Sequence, residues 1–264
     1  MSSTQQARLS ELDRVLDSVR ITPQLAEELF ALVDLLDRQP ALRRALTDPG
    51  ADADARGVLL ESLFGSRLSD AAQTVLRAAV GQRSSSPSAL AAALERQGVR
   101  AVLSSAQLAG TLDAVEDELF RFERLVAGDA ALRAAISDRS APLSARQQLV
   151  DDLLRDRADA ATGYLAKRAV AARSTSFELT VQGYLVLAAA LRQRALAHVL
   201  VARELTAEQR DRLAAALSRQ LGRDVNLQVV IDPDILGGVR VTVGDEIIEG
   251  TIAGRLDEAH RQLV

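Results

Sequence analysis

Residues Val229 to Leu263 read VVIDPDILGGVRVTVGDEIIEGTIAGRLDEAHRQL, and this stretch decides the fold class. Val229 and Ile231, then Val239, Val241 and Val243, then Ile247 recur at every second residue or nearly so, the period at which one face of a strand meets a core. Three short strands are predicted. Gly244-Asp245 separates two β-branched runs and predicts a two-residue hairpin, because glycine tolerates the positive φ that such turns need. Gly237-Gly238 precedes the middle strand, where a sharp bend or a close backbone approach excludes a side chain. From Thr251 to Val264 the pattern becomes helical, which predicts a closing helix.

Working outward, His198 to Arg203 (HVLVAR) predicts one more strand. Thr206-Ala207-Glu208-Gln209 is a capping box, with Thr206 as N-cap and Gln209 reaching back to it. Leu213, Leu217 and Leu221 carry that helix to Gly222, a C-cap. The terminal module is therefore predicted as strand, helix, three strands, helix.

Everything upstream is Ala/Leu/Arg-rich at helical spacing. Leu9, Leu12, Val15, Leu16 and Val19 make one apolar face, and Thr22-Pro23 opens a second helix along Leu25, Leu29, Val33 and Leu36. Ala41 to Leu46 is a short helix stopped by Asp48-Pro49-Gly50, and further helices are predicted over 54–64, 69–80 and from Ser86-Pro87. Ala41-Leu42-Arg43-Arg44-Ala45-Leu46-Thr47-Asp48 then returns as Ala131-Leu132-Arg133-Ala134-Ala135-Ile136-Ser137-Asp138, an offset of 90 residues. Without a gap the same offset aligns Leu29-Phe30 with Leu119-Phe120, Arg56 with Arg146, Leu59 with Leu149, Leu63 with Leu153, Val80 with Val170, and Arg83-Ser84-Ser85-Ser86 with Arg173-Ser174-Thr175-Ser176. The helical half is a duplication of a unit of about six helices. The expected fold is mainly α, with helical copies over 1–97 and 98–195 and an α+β domain over 196–264.

The 264 residues are 48% apolar but only 3% aromatic, so the core is built from Ala, Leu and Val. Cysteine is absent, which excludes disulfides, thiol catalysis and Cys-based zinc sites. The N-terminus MSSTQQARLSEL lacks a basic start and an apolar core, so no signal-peptide export is expected. Leu185 to Leu191, the longest strongly apolar run, falls short of the roughly 18 to 20 residues that span a bilayer. A net charge of −4 argues against a nucleic-acid partner, and Lys167 is the sole lysine among many arginines.

No constellation for chemistry emerges. Asp52-Ala53-Asp54-Ala55-Arg56-Gly57 superficially matches a calcium loop, but Arg56 and Leu63 stand where ligands are needed. Its better reading makes Asp54, like the aligned Ser144, a helix N-cap. His198 and His260 stand outside any cluster of ligand spacing. Asp151, Asp152, Asp156, Glu116, Asp117 and Glu118 lie among arginines and predict solvated helix faces. The glycines at 237, 238, 244 and 250 punctuate strands, whereas a phosphate-cradling loop needs glycines between a strand and a helix. No catalytic residue, cofactor or metal ligand is expected.

The order Asp232, Pro233, Gly237, Gly238, Val239, Val241, Gly244, Asp245, Ile248, Gly250, Arg255 and Leu256 resembles the C-terminal signature of the δ subunit of F-type ATP synthase, the oligomycin-sensitivity-conferring protein of mitochondria. The resemblance implies a non-catalytic subunit of the peripheral stalk, with one ordinary six-helix domain and one extra copy, as in long actinobacterial forms. It also implies partners: the N-terminal ends of the α subunits on the catalytic head for the helical part, and a b-type stalk subunit for the C-terminal domain. The expected location is the cytoplasmic face of the cell membrane, peripheral to it, without a cofactor. The residues alone leave two alternatives open. One is a regulatory nucleic-acid-binding adaptor, against which the acidic balance and scarce aromatics count; the other is a small-molecule enzyme with an interdomain site, against which the lack of convergent polar groups counts.

Overall fold

The computed structural model describes all residues except 1–2, 49, 51–52, 66, 83–85, 173–174, 195, 222–224, 233–237, 244–245 and 252–264. It divides into two compact units, Met1–Leu185 and Val186–Val264. Among the described residues the helices are α1 (Ser3–Ser18), α2 (Pro23–Arg38), α3 (Pro40–Thr47), α4 (Ala53–Phe64), α5 (Asp70–Gly81), α6 (Pro87–Leu108), α7 (Leu112–Gly128), α8 (Ala130–Ser137), α9 (Leu143–Leu154), α10 (Ala160–Ala171) and α11 (Phe177–Arg194). No helix among them is long and apolar enough to cross a membrane.

The duplication is visible in the boundaries. Helices α3, α4 and α5 recur 90 residues on as α8, α9 and α10 with the same ends. The equivalent of α1 is the second half of α6, and the equivalent of the start of α6 is the start of α11. One helix therefore ends the first copy and begins the second, and the expected limit at 97/98 falls inside it.

Local chemistry accounts for most helix starts. Thr22 Oγ1 accepts from Leu25 N at 3.2 Å, Ser69 Oγ from Ala72 N at 3.3 Å and Ser86 Oγ from Ala89 N at 3.3 Å, each satisfying a first-turn amide. Asp54 and Ser144 are a correction: α4 begins at Ala53 and α9 at Leu143, so both occupy second helical positions, and Pro142 stands at the cap of α9 without a side-chain bond. Proline's fixed φ suits the entry to a helix and leaves one fewer amide to satisfy.

Glu118 is a second correction, because it caps a helix. Its Oε2 accepts from the Asp159 amide at 2.8 Å and from Thr162 Oγ1 at 2.6 Å, joining α7 to the start of α10. Its equivalent Glu28 does the same for α5, accepting from the Ser69 amide at 3.1 Å and from Ser69 Oγ at 2.5 Å. Charged acceptors make the stronger hydrogen bonds, so Glu118→Ala and Glu28→Ala are each expected to destabilise the helical unit by about 1.5–3 kcal/mol, read as a lower urea midpoint. Equal losses would reflect the shared geometry. Three others lie on solvated helix faces: Asp117 pairs with Arg121 at 2.5 Å, Asp151 with Lys167 at 2.7 Å and Asp152 with Arg155 at 2.8 Å. Asp156 and Glu116 are further corrections, since Asp156 lies past the end of α9 in a turn at φ +58° and Glu116 keeps its Oε2 buried.

In the second unit, β1 (Leu196–Val201), α12 (Ala207–Leu221), β2 (Asn226–Ile231), β3 (Gly238–Val243) and β4 (Glu246–Thr251) form a four-stranded sheet in the order β2-β1-β3-β4. β1 and β2 are parallel, as the α12 crossover allows, and the other pairs are antiparallel. Register sets Val199 opposite Val241 and Val229, so alternate residues share one face. Val199, Val201, Val241 and Val243 are buried there with Leu217 of α12 and Val225. Ile231, at the end of β2, is exposed instead of half-buried. The capping box is as expected, with Gln209 N donating to Thr206 Oγ1 at 3.3 Å and Thr206 N to Gln209 Oε1 at 3.0 Å. The closing helix and the Gly244-Asp245 turn lie outside the described residues, though Val243 pairs with Glu246 across the point where the hairpin turn is expected.

Candidate functional site

Residues of the C-terminal signature fall on the sheet where they are described. The Asp232 amide donates to the Val201 carbonyl at 2.9 Å at the end of β2. Gly238 opens β3 with φ +86°, in register with Thr251, and Gly250 pairs with Val239. Glycine adopts this positive φ freely, whereas a residue with a Cβ does so only at a cost. Pro233, Gly237, Gly244, Asp245, Arg255 and Leu256 lie outside the described residues, as does His260. His198 lies on β1 in register with Gln228 and Thr242.

Among the described residues there is no group of three or more His, Cys, Asp or Glu that could hold a metal ion. An open groove of about 510 Å³ between α4 and α5 is lined by Gly57, Val58, Leu60, Glu61, Arg77, Val80 and Gly81. Its charged pair, Arg77–Glu61 at 3.1 Å, is exposed.

The charged groups with consequences are two joints between helices distant in the chain. In the first, Asp13 of α1 meets Arg96, Gln97 and Arg100 of α6. Arg96 donates through both terminal nitrogens, one at 2.9 Å; Gln97 donates at 3.0 Å; and Arg100, only 2% exposed, forms an ion pair at 2.5 Å and a second one with Asp17 at 2.9 Å. Burial pushes the Asp13 carboxyl up, but the hydrogen bond from Arg96, the charge of Arg100 and the hydrogen bond from Gln97 outweigh it and hold its pKa at about 2.

The second joint links the copies. Arg168 of α10 donates Nε to both Glu95 oxygens at 2.9 Å and Nη1 to Asp34 of α2 at 2.7 Å, while its guanidinium lies 4.7 Å from the Phe30 ring centre. Burial works against its charge, but Glu95 and Asp34 hold its pKa above the ordinary arginine value. Tyr184 donates to Glu95 at 3.3 Å, and its own pKa is raised, first by burial and then by that carboxylate. Tyr164 lies 5.7 Å from Phe30, centre to centre. Gly98 of α6 completes the contact, since a Cβ there would come within 2.7 Å of the Phe30 ring. Apart from Phe30, which belongs to the 90-residue repeat, no motif marks these residues. Their trace in the sequence is a pair of polar interruptions on apolar helices, Asp13 after Leu12 and Gln97-Gly98-Val99-Arg100 within α6. Such an arrangement holds helices in fixed register.

A family model described as "ATP synthase delta (OSCP) subunit" matches residues 94–263, starting inside α6. "ATP synthase subunit delta" of Cutibacterium acnes is 42% identical over 253 residues, covering 96% of each chain. The protein of that name from Streptomyces avermitilis is 44% identical over 259 residues, covering 97% of this chain and 95% of its own. A chain in the cryo-EM structure of the Toxoplasma gondii mitochondrial ATP synthase hexamer is 18% identical at a TM-score of 0.31, over 62% of this chain and 94% of that one.

Proposed function

We propose a mechanical role on one premise: the chain belongs to the ATP synthase delta (OSCP) subunit family, as a non-catalytic subunit of the peripheral stalk. In this reading the helical unit holds the N-terminal ends of the α subunits on the catalytic head, and the C-terminal module holds a b-type stalk subunit at the cytoplasmic face of the cell membrane. A protein clamped to both resists the torque of the rotor. It supplies binding free energy and stiffness, and no bond is made or broken in it. The similarity to δ subunits over nearly the whole chain carries this reading. The two joints suit it, since each fixes helices distant in the chain against one another. The domain limits 1–97, 98–195 and 196–264 are part of the proposal, with the first copy as a second contact or brace.

The test separates the two grips. Gly238 holds φ +86° at the start of β3, so Gly238→Val is expected to cost about 1–2 kcal/mol in backbone strain alone. A module of this size has little stability in reserve. The purified variant should bind isolated catalytic head as the native chain does and lose affinity for a soluble b-type stalk fragment. Failure of the native chain to bind either partner would overturn the proposal. Equal loss at both by the variant would show that the two grips are not independent.

A further inference from the structure

The duplication separates the contacts a copy needs to fold from those that relate the two copies. Contacts of the first kind recur 90 residues on. Glu28 and Glu118 each cap a helix, Arg56 and Arg146 each donate to a carbonyl at the end of the short helix before them, at 3.1 and 3.3 Å, and the pair Arg77–Glu61 returns as Lys167–Asp151. The joint on Glu95 has no such counterpart. At the equivalent positions Asp34 becomes Arg124 and Glu95 becomes Leu185, while Arg168 corresponds to Ala78 and Tyr184 to Leu94. Its polar groups lie outside the chemistry that each copy repeats, and they tie α2 and α6 to α10 and α11.

Burial along α6 agrees. By the same offset α1 corresponds to 93–108 and α11 to 87–104, so 93–104 is at once the last helix of the first copy and the first helix of the second. Every residue from Gln97 to Ser104 is buried. A helix turns once in about 3.6 residues, so this run leaves no face of α6 to solvent over that stretch. It packs against α1, α2, α3 and α5 of the first copy and against α7 and α10 of the second. Two independent bundles would each end on a helix with an outward polar face; here one helix is inside both, and Met1–Leu185 is one compact unit.

We propose that the two copies are one cooperative body, with α6 as their common core and Arg168 as the lock between them, so that whatever stabilises or loosens one copy does the same to the other. The lock is specific to arginine. Its fork reaches both Glu95 oxygens and Asp34 at once while the guanidinium lies over the Phe30 ring, a set of contacts that the point charge of a lysine cannot make.

The experiment uses the full chain and compares hydrogen exchange in 25–36 of α2 with 112–126 of α7, one segment in each copy. Leu25→Ala empties a fully buried site of the first copy, and the slowest amides of both segments are expected to exchange about tenfold or more faster, by the same factor. Val33→Ala, a smaller deletion in the same helix, gives the same comparison should Leu25→Ala fail to fold. Placed in an Arg168→Leu background, either deletion should speed 25–36 about threefold more than 112–126, with Arg168→Lys between the two behaviours. Native exchange of 112–126 in Leu25→Ala and Val33→Ala would overturn the common body. Equal factors in the two segments without Arg168 would overturn its role as the lock.

Discussion

Asp13→Ala is expected to destabilise the helical unit by about 3–5 kcal/mol, the range for removing one partner from a buried ion pair. The loss comes less from the missing contact than from what stays behind. Arg100 is 2% exposed, and without Asp13 it keeps one buried nitrogen facing no carboxylate, with only Asp17 for the other. The native protein should show the same dependence on acid. With the folded-state pKa at about 2 against a reference of 3.8, the Asp13 carboxylate contributes about 2 kcal/mol that is complete above about pH 4 and lost as pH falls towards 2. Urea midpoints of the native chain and Asp13→Ala should therefore converge between pH 4 and pH 2. Parallel curves across that range would show that Asp13 is not held as an ion.

The second large effect is expected from Gly98→Leu. An added Cβ meets three atoms of the Phe30 ring at 2.7 to 3.0 Å, and the ring has Tyr164 and Arg168 against it, so it has little room to withdraw. Overpacking a filled site costs about 1–3 kcal/mol and more when neighbours are fixed, and a leucine adds three carbons beyond the Cβ. We expect about 3 kcal/mol or more, read from urea or thermal unfolding of the full chain. The double variant Gly98→Leu/Phe30→Ala should recover much of that loss, because it removes the ring that the new side chain strikes. A pair of losses that simply add would place the strain elsewhere. Because α6 belongs to both copies, the damage should reach α2 and α10 together, seen as faster hydrogen exchange in both.

Much of this protein is local and therefore legible along the chain. Helical spacing, the Thr22, Ser86 and Thr206/Gln209 caps, and the alternation over 239–243 each depend on residues no more than four apart. The 90-residue repeat is legible for a related reason, since it needs only comparison of the chain with itself. The joints are different. Asp13 and Arg96 are 83 residues apart, Glu95 and Arg168 73, and Asp34 and Arg168 134, and nothing in the spacing says which carboxylate meets which arginine. Glu118 has the sequence surroundings of an acid on a solvated face, and it becomes a cap only because the fold brings the start of α10 to it. Phe30 and Phe120 occupy equivalent positions with the same neighbouring leucine, yet one is core and the other surface. Sequence by itself determined the helices, the strands, their order and the duplication, because hydrogen-bonding period and capping are properties of neighbours in the chain. Only the tertiary structure decided that α6 is shared by both copies, which charges are buried and which aromatic face stays open, because those depend on what the packing of distant helices leaves uncovered.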